Sequence, residues 1–168
     1  MNRGPYLKRL MPYLIDGYNL LWAIKKNDEH FEPVEDAGMC EMLNHYLHQI
    51  GDTGEVVFDG VGPPDKGPFK GLPQLRVLFS GPGVEADTII EEKLIASRSP
   101  KKLQVVSTDR RVRHASQKCK AVTWSSEAFW QRVESQLTRK RPAPEPRGKR
   151  AGINDTETKT WLRMFKLD

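Results

Sequence analysis

Tyr13-Leu14-Ile15-Asp16-Gly17-Tyr18-Asn19 is an apolar run that ends in an aspartate and turns at once on a glycine. A strand buried inside a parallel sheet reads as such a short apolar run, and glycine permits the sharp exit that follows it. The pattern returns in Val56-Val57-Phe58-Asp59-Gly60 and, with hydroxyls before the acid, in Val105-Val106-Ser107-Thr108-Asp109. A fourth aspartate, Asp87, follows Gly83-Val84-Glu85-Ala86 and falls in the first turn of an expected helix. In a parallel α/β sheet the carboxyl ends of the strands face one crevice, so acids distant in sequence can meet there.

Working outward, apolar runs alternate with stretches of helical spacing, which predicts βαβ units around a mainly parallel sheet of α/β class. Five strands are expected at 13–16, 55–59, 75–79, 103–107 and 121–124. Helices are expected from the first turn to about Asn27, over 34–50, 84–97 and 110–118, and from Ser125 as N-cap to about Leu137. The segment 60–73 holds four Gly and four Pro and reads as a surface loop. Residues 1–10 read as a ragged extension, with Met1 and Met11 both open as starts. Residues 11–137 form the folded domain, 138–155 a basic Pro-rich linker, and 156–168 a short amphipathic helix. That helix carries Trp161, Met164 and Phe165, and would dock on the body, a second copy or a partner.

The charge of +5 is concentrated. Residues 1–137 hold 18 basic and 18 acidic side chains, whereas 138–150 hold six basic residues against Glu145 alone. A basic, proline-rich strand beside a folded domain suits contact with a phosphate backbone, so Arg139, Lys140 and Arg141 are candidate RNA contacts. No apolar run approaches the ~20 residues of a membrane helix. Cys40 and Cys119 form no CxxC pattern, which disfavours a disulfide framework or zinc site and points to a reducing cytoplasm. Both read as small buried residues. His45 and His48 lie three apart on one helix and read as surface or groove residues.

Each acid has two readings. Asp16 can cap a helix or hold a ligand, Asp59 can serve a turn or a ligand, and Asp87 suits the positive end of its helix dipole. Ser107, Thr108 or Asp109 can each cap the next helix, or hold a metal water or phosphate. Glu91 shares a helix face with Asp87, while Glu85 and Glu92 point elsewhere into solvent. Asn19 lies within reach of the same space. Crowded carboxylates raise one another's pKa, and a hard cation such as Mg²⁺ or Mn²⁺ resolves that conflict. Such an ion activates water and stabilises charge on a phosphoryl oxygen. Arg110, Arg111 and Arg113 would neutralise neighbouring phosphates, with Lys118 and Lys120 further out.

These segments, together with Val84-Glu85-Ala86-Asp87-Thr88-Ile89-Ile90-Glu91, resemble the YacP-like branch of the NYN domains, relatives of the PIN-domain nucleases. The resemblance spans about 11–137. It implies a three-layer PIN-like fold and Mg²⁺- or Mn²⁺-dependent endoribonuclease activity. The leading expectation is a cytoplasmic enzyme that cleaves single-stranded RNA by metal-activated water, in a translation- or ribosome-linked role. Asp16, Asp87 and Asp109 resemble the family's metal-holding acids, and Asn19 its helper amide. Asp59 matches the residue after the second strand, and Glu91 the acid within the helix. The chain departs from the family where a glutamine usually follows the last aspartate: it has Arg113-His114, with Gln117 further on. The other reading is a non-catalytic RNA- or ribosome-binding module. A haloacid-dehalogenase-type phosphatase would want an acid at position 18, which is Tyr18.

Overall fold

The computed structural model describes residues 12–27 and 35–139. Their elements run β1 (Tyr13–Asp16), α1 (Gly17–Asn27), α2 (Asp36–Ile50), β2 (Gly54–Phe58), β3 (Leu75–Phe79), α3 (Ala86–Ala96), β4 (Gln104–Val106), α4 (Arg110–Lys118), β5 (Val122–Trp124) and α5 (Ser126–Thr138). The sheet order is β3-β2-β1-β4-β5, and every strand pairing is parallel. The α/β expectation therefore holds, with a sheet of five strands flanked by helices on both faces.

Side-chain alternation sorts the sheet into two faces. Tyr13, Ile15, Val56, Phe58 and Val106 face α1, α2 and α5, in a cluster with Leu20, Met39, Leu43, Tyr46, Phe129 and Trp130. Leu14, Val57 and Val105 face α3 and α4, against Ala86, Ile90, Leu94 and Val112. Asp16 and Ser107 are in phase with Leu14 and Val105, so they continue this second face beyond the apolar core.

Several expected boundaries shift. β2 stops at Phe58, leaving Asp59 just past the strand. α3 begins at Ala86, because Gly83 has φ +70° and Glu85 is still extended. The loop after β2 is less irregular than its Gly and Pro content suggests. It contains a 3-10 turn, Gly67–Phe69, whose buried Phe69 lies 5.2 Å from the Phe79 ring centre and 6.3 Å from that of Phe58. His45, expected at the surface or in a groove, is buried and lies 3.0 Å from the Gln49 amide nitrogen. Cys40 is buried and Cys119 only partly so. The expected N-terminal extension, the linker from Lys140 onward and the C-terminal helix lie outside the described residues. No helix among the described residues is long and apolar enough to cross a membrane.

Candidate active site

Chain direction decides where the acids gather. From β1 the chain builds outward through β2 to β3, then crosses back to place β4 on the other flank of β1. The switch point lies between β1 and β4, at whose carboxyl ends an open α/β sheet leaves its crevice. Asp16 closes β1 there, and Ser107 follows β4. The Ser107 hydroxyl donates to Asp16 Oδ2 at 3.2 Å, joining residues 91 apart in sequence. Both side chains are buried.

Asp16 also accepts the backbone N–H of Asn19, so it caps α1 while facing the crevice. Its neighbour Gly17 has no room for a side chain: a Cβ there would sit 2.4 Å from Phe58 Cδ1. The close approach of α1 to β2 depends on that missing atom. Burial pushes Asp16 up to about 7; repulsion from Asp87 adds to this, the Ser107 and Asn19 hydrogen bonds oppose it, and Asp59 contributes a smaller push upward.

Asp87 lies in the first turn of α3. Burial raises its pKa and Asp109 raises it further, while the Arg111 guanidinium pulls it down and Asp59 and Glu85 add smaller repulsions. The four sequence-predicted aspartates thus share one electrostatic neighbourhood. Asp59 and Asp109 also have structural duties. Asp59 Oδ1 accepts the Ala86 N–H at 2.6 Å and so fixes the start of α3. Asp109 Oδ1 accepts the N–H groups of Arg111 at 2.8 Å and Val112 at 3.4 Å, as the N-cap of α4. In both residues the second carboxylate oxygen has no hydrogen bond among the described residues.

Polar groups around this edge are largely engaged with one another. Asn19 Oδ1 accepts from the Thr108 N–H at 2.9 Å and the Ser126 hydroxyl at 2.6 Å, tying α1 to the β4–α4 turn and to α5. The Thr108 hydroxyl donates to Glu127 at 2.9 Å and accepts the Ser126 N–H. Arg111 pairs with Glu91 at 2.7 Å and Glu85 at 2.8 Å, so Glu85, solvated as expected, nonetheless turns toward α4. Arg110 and Arg113 are exposed, with no ion pair among the described residues, and Arg139 is exposed just past α5. Lys140 and Arg141 lie outside the described residues. Ser126 and Glu127 were not singled out by sequence; the hydroxyl-acid run after Trp124 read only as a helix start.

A hard cation suits the donors at this edge. All are carboxylate oxygens, two of them buried or partly buried, and none of the four aspartates has an ion pair among the described residues. A divalent ion would relieve both desolvation and repulsion. The side chains as placed are not a finished cage: among the described residues no three His, Cys, Asp or Glu group closely enough to hold an ion.

The model of one known family, the YacP-like NYN domain, matches residues 13–165. No curated protein sequence matches the chain. Among solved structures, Rae1 (YacP) from Bacillus subtilis is 21% identical, with 74% of each chain covered and a TM-score of 0.59. A single-substitution mutant of that protein gives 22% identity, 74% of this chain and 75% of the other covered, and a TM-score of 0.55. At these identities the likeness shows a shared fold.

Proposed function

The chain belongs to the YacP-like NYN domain family, and on that premise we propose that it is a cytoplasmic, Mg²⁺- or Mn²⁺-dependent endoribonuclease acting on single-stranded RNA. The observation that carries this reading is Asp16: a buried carboxylate at the switch point, pushed up to about 7, with Asp87 and Asp59 repelling it. Stability alone does not explain a buried acid with acidic neighbours and no basic partner among the described residues.

Asp16, Asp87 and Asp109 would hold the ion, with Glu91 joining them once released from Arg111. The ion would lower the pKa of a water and neutralise charge developing on a phosphoryl oxygen. Ser107 holds the Asp16 carboxylate in one orientation through its hydroxyl. Asn19, its oxygen already taken by Thr108 and Ser126, keeps its amide hydrogens to orient water or phosphate. Asp59 fixes the N-terminus of α3 and with it the position of Asp87. Arg110, Arg113 and Arg139 offer charge to neighbouring phosphates.

The test is cleavage of labelled single-stranded RNA by the purified protein, with and without Mn²⁺, compared with Asp16→Asn and Asp109→Asn. We expect metal-dependent cleavage that falls by more than ~100-fold in Asp16→Asn, beyond what losing a supporting group usually costs. Undiminished cleavage in both mutants would sink the reading. The capping duties of Asp59 and Asp109, and the absence of a finished cage, favour one alternative: an RNA- or ribosome-binding module of the same fold without chemistry. It predicts RNA binding that survives loss of the aspartates and no cleavage by the parent protein.

A further inference from the structure

Helix α1 begins at the crevice and presents an unusual outer surface. Its buried residues, Gly17, Leu20, Leu21, Ala23 and Ile24, form one arc. At 100° per residue, the opposite arc carries Asn19, Trp22 and Lys26, flanked by Lys25. Asn19 is bonded to the β4–α4 turn, so this arc starts at the crevice rim. Trp22 lies ~4.5 Å further along the helix axis. Its indole is 74% exposed. The other described tryptophans are covered, Trp130 fully and Trp124 in part.

Charge identifies the occupant. α1 contains no acidic residue, and Lys25 and Lys26 close it without an ion pair among the described residues. An exposed aromatic plane followed by two ammonium groups with no ion pair among the described residues is the pairing that single-stranded nucleic acids use, base on ring and phosphate on cation. An isolated exposed apolar side chain needs no explanation. This one stands within one turn of the proposed active site, with cations beside it.

We propose that the outer face of α1 is a base-stacking platform, on which Trp22 receives an unpaired RNA base beside the crevice while Lys25 and Lys26 meet its phosphates. The proposal rests on the nuclease reading for its choice of RNA, and it adds to that reading a reason for single-strand preference. A base held inside a duplex cannot offer its face to the indole.

Binding is measured on the full chain in EDTA, where no metal-dependent cleavage occurs. The probe is a labelled oligoadenylate of about 12 nucleotides, within the range such sites cover, with the same strand annealed to its complement. The variants are Trp22→Ala, Trp22→Phe and Ile95→Ala, the last removing an exposed side chain from α3 on the other face of the sheet (79% exposed). We expect single-strand affinity to fall ~5-fold or more in Trp22→Ala, to be largely kept in Trp22→Phe and to be unchanged in Ile95→Ala, with duplex binding indifferent to Trp22. Equal binding by Trp22→Ala and the parent would overturn the platform. So would an equal loss in Ile95→Ala, or sedimentation showing that Trp22 instead joins two copies of the chain. Parallel Mn²⁺ assays on the parent and Asp16→Asn separate the two ideas. Asp16-dependent cleavage with Trp22-independent binding leaves the nuclease and removes the platform. Trp22-dependent binding without cleavage does the reverse.

Discussion

Asp59 Oδ1 accepts the Ala86 N–H at 2.6 Å, so the residue just past β2 caps the helix carrying Asp87. The carboxylate therefore positions another acid whether or not it touches a metal. Asp59→Ala should cost ~1 kcal/mol of stability, the usual loss for an N-cap, and should lower cleavage by displacing Asp87. Asp59→Asn keeps an accepting oxygen and should keep most of the activity. Urea denaturation and cleavage rates read both. An Asp59→Asn protein as inactive as Asp16→Asn would make Asp59 a ligand in its own right.

Asp16 predicts an inverted pH dependence. Its folded pKa is about 7, against an unfolded value near 3.9, so the native state binds the extra proton between these limits. The contribution is complete below about pH 4 and is lost as pH rises through about 7, reaching a few kcal/mol. In EDTA, the melting temperature of the parent should fall between pH 5 and pH 8 relative to Asp16→Asn, which has no such proton to lose. A parallel pH response in the two proteins would rule this out.

Metal should reverse that cost. At pH 8, Mn²⁺ at a hundred times its dissociation constant should add ~2.7 kcal/mol to the parent, because only the folded state gathers the acids. Asp16→Asn and Asp87→Asn should show a much smaller thermal shift. EDTA should return the parent to its starting value.

Glu91 is already neutralised by Arg111 at 2.7 Å, and Arg111 is also held by Glu85. Glu91→Gln should therefore reduce cleavage far less than Asp87→Asn. Arg111→Ala should change stability by under ~1 kcal/mol, the usual scale for exposed ion pairs. If Glu91 joins the ion on release, Arg111→Ala should tighten Mn²⁺ binding, measurable by titration calorimetry.

Gly17→Ala would force a methyl to within 2.4 Å of the Phe58 ring. Overpacking of this kind costs ~1–3 kcal/mol. The double mutant Gly17→Ala/Phe58→Leu should recover part of the loss in urea denaturation. Full additivity of the two substitutions would place the strain elsewhere.

The strands were legible because each is a short apolar run with an abrupt polar end; β3 and α4 match their expected limits residue for residue. The Phe69 turn was not. Its Gly and Pro neighbours argue against regular structure, and its burial depends on Phe58 and Phe79, rings supplied by β2 and β3. His45 was misplaced because α2 packs against α1, β3 and α5 and so buries an arc wider than an amphipathic stripe. Sequence offered cap or ligand for Asp16 as alternatives, whereas the fold makes it a cap that also faces other acids. The hold of Arg111 on Glu91 spans 20 residues between two helices, and no local pattern announces it.

Because β1 lies between β2 and β4, synthesis from the N-terminus leaves one flank of β1 bare until the chain has grown past Val106. A nascent or truncated product that stops short of this point lacks Ser107 and Asp109, and exposes unpaired backbone groups along Tyr13–Asp16. Such a fragment is adhesive, a template for aggregation. Release before that point therefore yields material for proteolytic disposal.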